Sequence, residues 1–171
     1  MRSFRWGVVF AVVGGAAAVF ALMAFGHIPV GANAEPGRVA SWLMRYARHA
    51  AVERVAPLEA SPIEASADNL LRAVPLYRDS CAGCHGTPET MSNVFAASLY
   101  PPAPQFMSVA QTKRLQMSDG ELFVIIRDGY RMTGMPSFAR MLEEYDIWSL
   151  VTFLKNLDRL SPEAQKALAK S

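Results

Sequence analysis

The sequence predicts an all-α protein with a membrane-spanning helix at the N-terminus, a connecting amphipathic helix and a small helical domain. Three observations predict it. Residues 7–26 carry no charge. Further along, apolar residues recur at spacings of three and four, the helical period. No segment shows the strict two-residue alternation of a half-buried strand. At 171 residues the chain suits one modest domain plus an extra segment and is too short for two ordinary enzyme domains. With 51% hydrophobic and 19% charged residues it is neither disordered nor fibrous.

The first element, residues 1–26, reads as a membrane anchor. Arg2 and Arg5 precede twenty uncharged residues, which at about 1.5 Å each span about 30 Å, the hydrocarbon thickness of a bilayer. The arginines stay on the cytoplasmic side and the rest of the chain is exported. A cleaved signal peptide is the competing reading, with Ala32-Asn33-Ala34 as its small-residue site; the apolar run exceeds the usual signal core and favours an uncleaved anchor, in contact with lipid through residues 7–26. Without Arg2 and Arg5 the remainder carries 15 Lys+Arg against 15 Asp+Glu, so no nucleic-acid partner is expected.

Residues 27–65 read as a linker that contains a helix. Pro29, Gly31, Asn33, Pro36 and Gly37 mark a connector. From Arg38 to Val55, Val39, Trp42, Leu43, Tyr46, Ala47 and Ala50 fall on one helical stripe, interrupted by Arg45, Arg48 and Arg54. Trp and Tyr beside arginines, just outside a span, suit the lipid headgroup zone; packing on the domain or on a partner suits the same pattern. Pro57 to Ala67, with two prolines, reads as a second linker.

Residues 66–160 form the expected compact domain. About 95 residues make a small core that profits from a large apolar cofactor. A helix is predicted over Asp68–Ser80, disturbed by Pro75. Gly86 to Met117 is loop-rich and includes Tyr100-Pro101-Pro102-Ala103-Pro104; so long a loop in a small domain usually wraps something. Ser118 and Glu121 form a capping box that opens a helix carrying Leu122, Phe123, Ile125 and Ile126 and stopping at Gly129. Glu143–Leu157 is the strongest helix, with Ile147, Leu150, Val151, Leu154 and Leu157 on its apolar face and Trp148 and Phe153 on the flanks. Residues 161–171 read as a tail with a short helix opened by Ser161-Pro162-Glu163.

Cys81-Ala82-Gly83-Cys84-His85 carries the chemistry. C-x-x-C-H is the pattern of covalent c-type haem attachment. Two thiols must reach two vinyl groups on one edge of a porphyrin, and one helical turn puts both sulfurs on the same side. The adjacent imidazole is then carried under the iron. A thioredoxin-like redox pair would follow a strand, whereas the preceding segment here reads as helix. A zinc site lacks further cysteines, and His27 and His49 lie in the anchor region. For the opposite face of the iron the candidates are Met91, Met107, Met117, Met132, Met135 and Met141. A loop methionine is favoured over one on a helix face, and Arg131-Met132-Thr133-Gly134-Met135-Pro136 is such a loop.

On these motifs the chain resembles class I c-type cytochromes, specifically small membrane-anchored bacterial monohaem cytochromes. The resemblance covers about residues 66–158. It rests on Leu76-Tyr77 leading into the Cys81–Gly86 motif, on Thr133-Gly134-Met135-Pro136-Ser137-Phe138, and on Ile147-Trp148 through Phe153-Leu154. It implies the class I cytochrome c fold with its first and last helices crossing near Tyr77 and Phe153. Ala73 stands where the family commonly has glycine. The resemblance further implies one haem c, covalent through Cys81 and Cys84, with His85 and Met135 as iron ligands. The carbonyl of Pro101, Pro102 or Pro104 would hold the His85 imidazole.

The function so implied is electron transfer, with redox proteins at the membrane as partners, no small-molecule substrate and no enzymatic activity of its own. The expected location is a bacterial inner membrane, crossed once, with the haem domain in the periplasm. Two other functions compete: a dedicated cytochrome subunit of a larger membrane oxidoreductase complex, and an open-iron haem enzyme or gas sensor.

Overall fold

The computed structural model describes residues 2–27, 31, 36–90, 94–107 and 115–169. The chain divides into two units, residues 1–35 and 36–171. The first is helix α1 (Arg2–Ala24). Its stretch Phe4–Ala24 is long and apolar enough to cross a membrane, with a mean hydropathy of 2.3, and its apolar side chains, among them Phe10, Phe20 and Met23, stand exposed. The Ala32–Ala34 motif lies outside the described residues.

The second unit is all helical among the described residues. It comprises α2 (Arg38–Val55), α3 (Ala67–Tyr77), a π-helical turn (Arg78–Ala82), α4 (Gly83–His85), α5 (Val94–Ser98), α6 (Asp119–Asp128), α7 (Glu144–Lys155), a 3₁₀ turn (Leu157–Arg159) and α8 (Pro162–Ala169). Ser66 caps α3 by accepting from the Asn69 amide. The helix runs through the exposed Pro75 and widens into the π turn that carries Cys81. Ser118 and Glu121 close the expected capping box on α6: the Ser118 hydroxyl accepts from the Glu121 amide at 3.1 Å, and the Glu121 carboxylate accepts from the Ser118 amide at 2.7 Å.

The core is built around α7. Its first contact is with α3: the rings of Tyr77 and Phe153, both fully buried, lie 5.3 Å apart. Ala73, only 1% exposed, sits in the same interior. On another side α6 stacks Phe123 on Trp148 at 4.2 Å. Every residue from Ile147 to Leu154 is therefore buried, and Trp148 and Phe153 are core residues and not flanks. The two polar ones are satisfied. Ser149 donates to the Tyr145 carbonyl at 2.8 Å, and Thr152 donates to the Ile63 carbonyl at 3.2 Å.

Two segments that read as linker and tail are tied into this core. The Ser61 amide donates to the Asp119 carboxylate at 3.0 Å, and its hydroxyl lies 2.7 Å from that of Thr152. A Cβ at Gly120 would collide with the Pro57 carbonyl, so only glycine lets the 57–63 segment cross the start of α6. α8 packs on α3 through the buried Ala164 and Leu168, and the Arg78 guanidinium donates to the Ala167 carbonyl at 3.3 Å.

α2 joins the unit by a face other than its apolar stripe. Val52 is its buried residue, and Arg48 stands over the Tyr130 ring at 5.3 Å. The stripe of Val39, Trp42, Leu43 and Tyr46 faces away and is exposed.

Candidate haem site

The proximal half begins where α3 ends. Cys81 lies in the π turn and Cys84 and His85 in α4, so one continuous helical stretch carries all three. Both cysteines are half-buried, and neither is in a disulfide. Gly86, at φ +78, turns the chain out of the helix, and its carbonyl accepts from the buried Tyr77 hydroxyl at 2.8 Å.

The loop that follows folds back under the histidine. His85 Nδ1 donates to the Pro104 carbonyl at 2.8 Å; a carbonyl can only accept, so Nδ1 carries the proton and Nε2 is left as a bare lone pair. Among the three prolines left open by sequence, Pro104 is the partner. The Phe106 ring stacks on the imidazole at 4.3 Å and 10°, and its amide donates to the His85 carbonyl at 3.3 Å. Gln105 donates to the Cys84 carbonyl at 3.0 Å. Ring orientation and tautomer are thus fixed by neighbours in the chain.

Burial lowers the His85 pKa below its ordinary value, against the opposing effect of the Pro104 hydrogen bond, so the imidazole is held neutral. Burial, with the neighbouring Cys84 charge second, pushes the Cys81 thiol up to about 12. A nucleophilic redox cysteine needs the opposite shift. Among the described residues no three His, Cys, Asp or Glu side chains gather as a metal cluster.

The methionine half hangs from the end of α6. Gly129 has φ +66, and a Cβ there would run into the Pro136 carbonyl, so the loop crosses the helix end at van der Waals distance only because the residue is glycine. The loop is strapped on both sides. The Tyr130 amide donates to the Met135 carbonyl at 3.2 Å, and the Ser137 hydroxyl donates to the Arg127 carbonyl at 2.7 Å. Inside it, the Thr133 hydroxyl accepts from the Met135 amide at 3.2 Å and donates to the Tyr130 carbonyl at 2.8 Å.

Met135 is half-buried against the core. Met132 is 91% exposed on left-handed backbone, and Met141 is 62% exposed. Met107 and Met117 are half-buried, and Met91 lies outside the described residues. The two halves meet at Leu99, whose side chain packs on Gly134 so closely that a Cβ on the glycine would overlap it. Sequence reasoning placed Gly134 in this loop but did not identify Leu99 as its neighbour, and it gave no role to Gln105 or Phe106, whose loop spacing carries no periodic signal.

The residues present fit a covalently attached haem: two cysteines outside any disulfide one helical turn apart, an adjacent imidazole with its Nε2 lone pair directed away from Pro104, and a half-buried thioether on a strapped loop. The arrangement in an all-helical fold defines the class, a c-type cytochrome. The family described as "Cytochrome C oxidase, cbb3-type, subunit III" matches residues 68–154, just over half of the chain, and the chain belongs to that family. No curated protein matches it. Membership supports haem c as cofactor, with electron transfer as the function, either as a carrier or as an oxidase subunit.

Proposed function

We propose that the chain is a single-haem electron-transfer protein tethered to the outer face of a bacterial inner membrane by α1, with residues 66–160 as its haem domain and residues 27–65, of which α2 and the 57–63 segment pack on that domain, joining the two. Cys81 and Cys84 form the thioether bonds, His85 is the proximal ligand and Met135 the distal one. The observation that carries the reading is the His85–Pro104 hydrogen bond, which keeps the imidazole proton on Nδ1 and leaves Nε2 as the ligating nitrogen.

When bound, the haem supplies one-electron exchange at its iron. Each residue then has a task in that exchange. Pro104 and Phe106 hold the imidazole in one orientation, so little ligand reorganisation accompanies a change of charge. Met135, held by Thr133, Tyr130 and the crossing at Gly129, would hold the iron through its thioether sulfur. A thioether there favours the reduced state and denies access to small ligands. The open-iron reading requires that position to be free, and the half-buried Met135 argues against it. The tether raises the effective concentration of the domain near membrane partners.

A second reading is supported by the family, described as an oxidase subunit: the domain hands electrons within an assembled complex. Stable co-purification from mild detergent at fixed stoichiometry would favour it over a free carrier.

Covalent attachment is tested by denaturing electrophoresis with haem staining and by intact mass. One haem per chain that survives denaturation is expected, lost in Cys81→Ser/Cys84→Ser. Haem that dissociates on denaturation would refute the attachment.

A further inference from the structure

α2 presents two different faces. Val52 and Arg48 turn toward the domain. At about 100° per residue, Val39, Trp42, Leu43, Tyr46 and Ala50 share the opposite side. That side is exposed among the described residues: Val39 is 77% exposed, Trp42 58% and Tyr46 64%. Trp42 and Tyr46 stack on each other at 5.9 Å and so form one aromatic pair on that side. Arg38 and Arg45 border the stripe on one side and Arg54 on the other, all exposed. The only acid of the helix, Glu53, pairs with His49 at 3.4 Å.

An apolar stripe with aromatic rings, bordered by arginines, has the chemistry of a helix lying in a lipid interface. Its charge complements anionic headgroups. It is also continuous in the chain with a helix of membrane-spanning length, which ends at Ala24, fourteen positions before Arg38. We propose that α2 lies along an anionic bilayer surface, with Val39, Trp42, Leu43 and Tyr46 in the headgroup zone and Arg38, Arg45 and Arg54 against lipid phosphates. Through Val52 and Arg48 the haem domain is then fixed in orientation on the membrane rather than swinging on its connector. This rests on the reading of α1 as an anchor.

The test uses the full-length holoprotein in vesicles of phosphatidylcholine with phosphatidylglycerol. Spin labels are placed singly at Leu43→Cys, at Leu58→Cys, a fully exposed site outside α2, and at Ala17→Cys within α1. Relaxation by oxygen and by a water-soluble nickel chelate is measured at each, with the haem spectrum as the check of folding. Oxygen dominating at Leu43→Cys and nickel at Leu58→Cys is the expected result. Omitting phosphatidylglycerol, or replacing Arg38, Arg45 and Arg54 by Gln, should shift Leu43→Cys toward nickel, by about fivefold in docked population per arginine.

Equal nickel access at Leu43→Cys and Leu58→Cys overturns the proposal. So does shielding from both reagents at Leu43→Cys, which would mean a protein covers the stripe. Indifference to lipid charge overturns the role of the arginines. Nickel access at Ala17→Cys refutes the anchor itself, whereas oxygen dominance there with nickel access at Leu43→Cys refutes only the docking of α2.

Discussion

The hydroxyl of Tyr77, buried at the crossing of α3 with α7, donates to the carbonyl of Gly86, the residue directly after the C-x-x-C-H motif, at 2.8 Å. One side chain thus ties the helix crossing to the turn that follows the haem motif. Tyr77→Phe leaves the ring packing against Phe153 and strands a buried carbonyl, so it should cost about 1–3 kcal/mol. Denaturant unfolding of the holoprotein measures this as a lower midpoint with an unchanged slope.

The same phenol predicts a pH dependence. Burial first, and the Cys81 charge second, push its pKa well above the ordinary tyrosine value. The unfolded phenol ionises near pH 10 while the folded one does not, so its contribution is fully present below about pH 10 and is lost as pH rises. Stability should fall above that point by up to about 1.4 kcal/mol per pH unit from this group. Unfolding midpoints from pH 8 upward, compared between wild type and Tyr77→Phe, should show a flatter alkaline limb in the variant.

Gly129 and Gly134 are predicted to differ in tolerance. At Gly129, alanine meets both an unfavourable φ and the Pro136 backbone, neither of which can yield cheaply. Gly129→Ala should cost more than about 1 kcal/mol and displace the Met135 loop, visible as partial loss of the methionine–iron absorption band. At Gly134 the obstacle is the end of the Leu99 side chain. Gly134→Ala should therefore be the milder change, and Leu99→Ala should relieve it in the double variant, a coupling that a mutant cycle reads directly.

Ser61 should matter more than a linker residue would. Its hydroxyl contacts the Thr152 hydroxyl and accepts from the Ile63 amide at 3.2 Å. Thr152 keeps the Ile63 carbonyl as a partner, so Ser61→Ala should cost only about 1 kcal/mol. Limited proteolysis should then cut faster between Pro57 and Ala67.

What sequence could and could not reveal follows from the kind of signal each element leaves. α6 and α7 were legible because capping and apolar periodicity are local. The burial of Trp148 and Phe153 was not, because it depends on α3, α6 and the 61–63 segment covering α7 from several sides. The 57–63 segment resembled a linker because Ser61, Asp119 and Thr152 hold it by polar bonds that have no period. α8 offered just Ala164 and Leu168 as core contacts. For α2 the helix was evident, but periodicity found the exposed stripe, whereas Val52 and Arg48 make the packed face. The haem motif was legible because its spacing is the chemistry; the choice of Pro104 over Pro101 and Pro102 depends on the path of a loop.

His85 and Met135 together would hold a closed iron. Optical spectra of the purified full-length protein, oxidised, reduced and reduced under carbon monoxide, test it most directly when wild type is set beside Met135→Ala and Met132→Ala. Wild type and Met132→Ala should show a methionine–iron band and no carbon monoxide shift, whereas Met135→Ala should lose the band and shift with carbon monoxide. A wild-type protein that binds carbon monoxide, or a Met135→Ala spectrum identical to wild type, would contradict that ligation.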